Sequence, residues 1–202
     1  MWRWIAPELS AEDAARVRRD HPFWQAIINL PHGQWRRTRL LLAAKRGELA
    51  RVDALIAWHA NVNMTAMHRL TALILASRRG YVEVVRALLA AGAGVDAATN
   101  NGSTALMVAS DRGHVEVVLA LLAVGADLDA ANEVGWTALI LASRNGQDEV
   151  VRTLLAADAV VDAADIASNT ALILASYSGQ VEVVRMLLAA GADKHQRRHR
   201  LQ

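Results

Sequence analysis

Thr71-Ala72-Leu73-Ile74-Leu75-Ala76-Ser77 decides how this chain is read, because the stretch returns three more times. The copies open at Thr104, Thr137 and Thr170, each 33 residues after the one before. One step earlier, Thr38-Arg39-Leu40-Leu41-Leu42-Ala43-Ala44 is a looser copy. Two further series keep the same step. Glycines stand at Gly47, Gly80, Gly113, Gly146 and Gly179. Valine pairs open at Val84, Val117, Val150 and Val183, with leucine pairs opening four residues after each. Three series in phase define a repeat array.

The residues of one unit dictate its local structure. Thr71 is a good N-cap, since its hydroxyl can accept a bond from an otherwise orphaned backbone N–H. Ala, Leu and Ile then carry a helix of about two turns. Gly80 stands where that helix must stop, at a place suited to a left-handed residue. A second helix is predicted from Tyr81 to Ala91, with Val84, Val85, Leu88 and Leu89 spaced to bury one broad face. Gly92 ends it. The run from Val95 to Ser103, rich in Asp, Asn, Thr and Gly, reads as an extended turn. Such a unit is too short to enclose a core. It gains stability by stacking on its neighbours.

Gly102-Ser103-Thr104-Ala105-Leu106-Met107, then Gly113-His114-Val115-Glu116-Val117-Val118, then Gly125-Ala126-Asp127-Leu128-Asp129-Ala130 resemble the ankyrin repeat in order and spacing. The resemblance covers residues 38–193 as five repeats. It implies an all-α solenoid of stacked helix–turn–helix units with short β-hairpin fingers, used for protein recognition. Residues 1–37 then read as an N-terminal helical cap and residues 194–202 as a basic tail. The departures matter too. The family's Thr-Pro-Leu-His is Thr-Ala-Leu-Ile or Thr-Ala-Leu-Met here, so apolar packing replaces the Thr–His hydrogen bonding. Arg69 and Ser168 stand where Gly102 and Gly135 mark the finger turn, and Asp158 where Gly92, Gly125 and Gly191 end the second helix. A left-handed Asp158 and Ser168 are expected to soften the joint between the fourth and fifth repeats.

The composition narrows the function. The chain has 202 residues, 53% of them hydrophobic, and no Cys, which removes disulfides, thiolate metal sites and a cysteine nucleophile. No apolar run is long enough for a membrane span, and the start does not read as a secretory signal. An intracellular location follows as the expectation, cytoplasmic before nuclear. The sequence pI of about 9.5 reflects the ends. Residues 38–193 hold twelve Lys/Arg against sixteen Asp/Glu, so a nucleic-acid-binding solenoid is not supported. No phosphate loop, nucleophile elbow or metal-ligand cluster is evident. The recurring acids Glu83, Glu116, Glu149 and Glu182 follow the repeat as solvated residues do. A non-enzyme without cofactor or metal is the expectation, even though His195 and His199 share an i, i+4 spacing in the tail.

Two surfaces are candidates for a protein partner. The residues before each mid-repeat glycine are Lys45-Arg46, Arg78-Arg79, Asp111-Arg112, Arg144-Asn145 and Tyr177-Ser178. The family resemblance puts them at the concave groove as a column, basic at its N-terminal end, suited to steer an acidic segment of a partner. Cations near a helix C-terminus also complement its dipole. The finger tips are the second surface, with Met67, His68 and Ile166 at the tips and Trp136 read as an exposed anchor, or else as a cover for the adjacent finger. The alternatives to a groove-binding scaffold lie at the ends. Leu9 to Arg19 faintly resembles the later part of an F-box, which would make the chain an adaptor subunit of a ubiquitin-ligase-like assembly. The fifth repeat keeps Ile173, Leu174, Met186, Leu187 and Leu188 without a polar outer face, which would permit self-association.

Overall fold

The structure, a computed structural model, describes residues 34–192, with side chains from Arg39 onward. The expected N-terminal cap, the F-box-like stretch, the basic tail and the His195–His199 pair lie outside the described residues, apart from the backbone of residues 34–37.

Ten α-helices are described, in five antiparallel pairs. The first of each pair is an inner helix: α1 (Gln34–Arg46), α3 (Ala72–Arg79), α5 (Ala105–Arg112), α7 (Ala138–Arg144) and α9 (Ala171–Tyr177). The second is an outer helix: α2 (Leu49–Ala57), α4 (Val82–Ala90), α6 (Val115–Ala123), α8 (Asp148–Ala156) and α10 (Val181–Ala189). Inner helices pack on inner helices and outer on outer, each touching the next repeat along the array. This is the solenoid the sequence predicts.

The threonines start the inner helices as expected. Thr71, Thr104, Thr137 and Thr170 are buried, and each Oγ1 accepts the backbone N–H three residues on, at 3.1, 3.4, 3.3 and 3.4 Å. Thr38 departs from the pattern, because α1 is already helical from Gln34. Ile74, Met107 and Ile140 are fully buried between the layers. The leucines divide: Leu88, Leu121, Leu154 and Leu187 have no exposed surface, while their second partners are half-buried. Gly80 ends α3 in the left-handed conformation at φ 73°. A Cβ there would also sit 2.7 Å from the His114 ring, which covers this glycine and places its Nε2 3.2 Å from the Arg78 carbonyl.

The fingers are tighter than hairpins. Each is a turn closed by two backbone bonds, as Thr99 N–H to Ser103 O and Gly102 N–H to Thr99 O, both at 3.0 Å, and Asn132 N–H to Trp136 O at 3.1 Å with Gly135 N–H to Asn132 O at 2.8 Å. Among the described residues the only β pairings are isolated bridges, Thr65 with Thr71 and Ala164 with Thr170. Successive tips join through Asn100 N–H to His68 O, Glu133 N–H to Asn101 O, and Ile166 N–H to Val134 O. A row of side chains ties the loops on the outer side. Asn63 Oδ1 accepts Gly94 N–H at 2.7 Å, Asp96 accepts Asp127 N–H at 2.9 Å, and Asp129 accepts Val160 N–H at 2.9 Å. Each bond satisfies a backbone donor in the next repeat.

Candidate functional site

Two clefts open in the groove between the described inner helices and fingers, and six of the sequence candidates divide between them. The central cleft, about 220 Å³, takes Arg78, Arg112 and Arg144 from the ends of α3, α5 and α7, and Trp136 from the third finger. The N-terminal cleft, about 680 Å³, takes Lys45 from α1 and Met67 from the first finger. Arg46, His68, Arg79, Ile166 and Tyr177 are exposed but line neither. Tyr177, at the C-terminal end of the column, is 91% exposed.

In the central cleft an acid gathers the cations. Asp111 lies 3.3 Å from Arg112 Nε and 3.8 Å from Arg144, and accepts a 2.7 Å bond from Asn145 Nδ2. Trp136 is half-buried rather than exposed, which corrects the reading of it as a free anchor. Its ring is covered by the Arg144 guanidinium, 4.4 Å from the centroid, a favourable cation–π arrangement. Its indole N–H donates to Asp165 of the fourth finger at 3.2 Å. Trp136 thus covers the adjacent finger, the alternative the sequence also allowed. Burial pushes the Asp165 carboxyl up, but hydrogen bonds from Asn169, Trp136 and Ala167 outweigh it and hold the group below its ordinary value.

Charge is distributed differently on the two sides of the array. On the outer helices each cation has an acid one turn earlier: Glu48–Arg51, Glu83–Arg86, Glu149–Arg152 and Glu182–Arg185, at 2.6 to 3.7 Å. On the inner side, Arg46 lies 3.9 Å from Glu48. No carboxylate lies within ion-pair distance of Lys45, Arg78 or Arg79 among the described residues. Uncompensated positive charge therefore collects on the first two repeats.

Sequence reasoning missed two features. The cross-loop ties of Asn63, Asp96 and Asp129 form a fourth series at the 33-residue step, with Asp162 next in line. Their phase was the available signal. The apolar character of the first finger was also missed, although Ala66, Met67 and Leu70 stand where later fingers place mostly polar residues. Among the described residues no three His, Asp or Glu side chains gather as a metal site, and no helix is long and apolar enough to cross a membrane.

A model of ankyrin repeats, three copies long, matches residues 40–132 and again 121–198. A comparison with curated proteins gave no match. Ankyrin repeats generally mediate protein–protein interaction. The capped inner helices, the stacked pairs and the family match over most of the length agree: the chain belongs to the ankyrin-repeat family.

Proposed function

We propose that this chain is a protein-binding scaffold that takes an acidic segment of its partner into the groove between the inner helices and the fingers. One observation carries the reading. Cations on the outer helices are paired within their own helix or with its N-cap residue, whereas Lys45, Arg78 and Arg79 on the inner side have no acid within ion-pair distance among the described residues. Unpaired charge in a concave surface raises the local concentration of an oppositely charged partner and orients its approach. Asp111 sets the C-terminal limit of this field by holding Arg112 and Arg144.

The test is fluorescence anisotropy with a labelled Glu-rich peptide. Binding is expected to weaken as salt shortens the Debye length, and to be lost in Arg78→Glu/Arg79→Glu. Asp111→Asn is expected to tighten it by freeing two guanidinium groups. Binding indifferent to all three changes would defeat the groove reading.

A second reading, self-association through the last repeat, has an observation of its own. Ile173, Leu174 and Val184 are half-buried, whereas Ile140, Leu141 and Val151 at the same places one repeat earlier are buried. Light scattering after size-exclusion chromatography decides it. A monomer that stays a monomer on concentration removes this alternative.

A further inference from the structure

The first finger breaks the pattern of the other three, and it does so at a cost in local stability. At its first turn position later fingers have Thr99, Asn132 and Asp165, whose side-chain oxygens accept backbone N–H groups across the turn. Asn132 accepts from Val134 at 3.1 Å and Trp136 at 2.9 Å, and Asp165 from Ala167 at 2.9 Å and Asn169 at 2.8 Å. Ala66 can make no such bond. Where Gly102 and Gly135 supply the left-handed residue, the first finger uses Arg69 at φ 56°, as the fourth uses Ser168 at φ 62°, but the first alone has a second left-handed residue beside it, His68 at φ 61°. L residues with Cβ atoms are strained there. Backbone strain held against local preference clusters at ligand-binding places.

What the finger presents in exchange is an apolar wall. Met67 is 80% exposed, and Leu42 on α1 is 39% exposed, whereas Val108 and Leu141 at the equivalent places on α5 and α7 are buried. With Leu70 and Leu75 these side chains line the N-terminal cleft of about 680 Å³, a size usual for ligand pockets. Lys45 lines the same cleft. Arg78, one repeat along the same column, reaches the groove next to it and lines the central cleft.

Resting on the groove reading above, we propose that the first two repeats form a socket for one large apolar side chain, Leu, Phe or Trp, set in an acidic segment of the partner. The apolar side chain seats on Leu42, Met67, Leu70 and Leu75. Carboxylates beside it meet Lys45 and the Arg78–Arg79 pair. Charge complementarity selects this occupant, because a wholly apolar segment would leave Lys45 at this cleft and Arg78 in the central one unmatched, neither having a carboxylate within ion-pair distance among the described residues, and a wholly acidic one would leave the leucines wet.

The experiment is selection of a random peptide library displayed on phage against the full chain, with affinities of the enriched peptides measured on variants. The expected consensus has one large apolar residue with acids within a few positions. Met67→Glu, a change at an exposed position that spares the fold, is expected to weaken such peptides roughly tenfold to a hundredfold, as is replacing their apolar residue by Ala. An acid-rich consensus with no common apolar residue, sensitive to Arg78→Glu/Arg79→Glu but not to Met67→Glu, overturns the socket and leaves the groove reading standing. Peptides insensitive to both sets of changes overturn both. If the chain is oligomeric and Met67→Glu makes it monomeric, the occupant is a second copy and the proposal of a partner segment fails.

Discussion

Ser77, Ser110 and Ser143 are fully buried, and among the described residues their hydroxyls have no hydrogen-bond partner. The first repeat has Ala44 at this place, equally buried. A buried, unpaired polar group costs about 1–3 kcal/mol, so the methyl side chain is the better fit. Ser110→Ala is expected to leave the urea midpoint unchanged or to raise stability by about 1 kcal/mol. A loss of that size would show that the hydroxyl has a partner after all. Asp165 makes a second prediction at this scale. Its carboxyl is held below its ordinary value, so the stabilisation it gives is present at neutral pH and lost as acid protonates it, below the usual Asp range. The difference in thermal stability between the wild type and Asp165→Asn is therefore expected to shrink as the pH falls below about 4. A difference that stays constant into acid would place the stabilisation elsewhere than on the charge.

Strain sits on particular elements, the loops that join repeats. The second and third joints use Gly92 with Gly102, and Gly125 with Gly135, all at positive φ. The fourth uses Asp158 at φ 64° and Ser168 at φ 62°. The first uses His59, His68 and Arg69, all positive. Asp158→Gly and Ser168→Gly are each expected to raise stability, by up to ~1 kcal/mol. Thermal melts that fall or stay level would refute the strain argument. These loops also show what the sequence made legible. Asp158 and Ser168 could be read as left-handed because they interrupt a run of phased glycines. His59 could not be read so easily, since the first repeat is a loose copy with little phase to interrupt. Trp136 was visible as an interface-type residue. Its burial was not, because that depends on Arg144 closing over the ring and Asp165 arriving from the next finger, and neither meeting is written in local sequence.

Across the whole molecule the core is one row of side chains shared between neighbours, from Leu40 in α1 to Leu187 in α10. Stability in such an array is close to a sum of repeat and interface terms. Leu121 is fully buried in α6, the central outer helix, which packs on α4 and α8. Leu121→Ala is expected to cost about 2–5 kcal/mol in chemical denaturation. A cost below that range would mean the outer layer is less tightly packed than its burial indicates. The same linear design leaves the two faces free to differ. The outer face neutralises its cations internally, while on the inner side of the first two repeats Lys45, Arg78 and Arg79 have no carboxylate within ion-pair distance among the described residues, and Lys45 stands at an apolar cleft. The account rests on that asymmetry being a binding surface. Its most direct test is the hydrogen-exchange footprint of a library-selected peptide on the intact chain. Protection is expected at the C-terminal ends of α1 and α3 and across the first finger. Protection confined to the outer helices α4, α6 and α8, or to the open side of the fifth repeat, would contradict it.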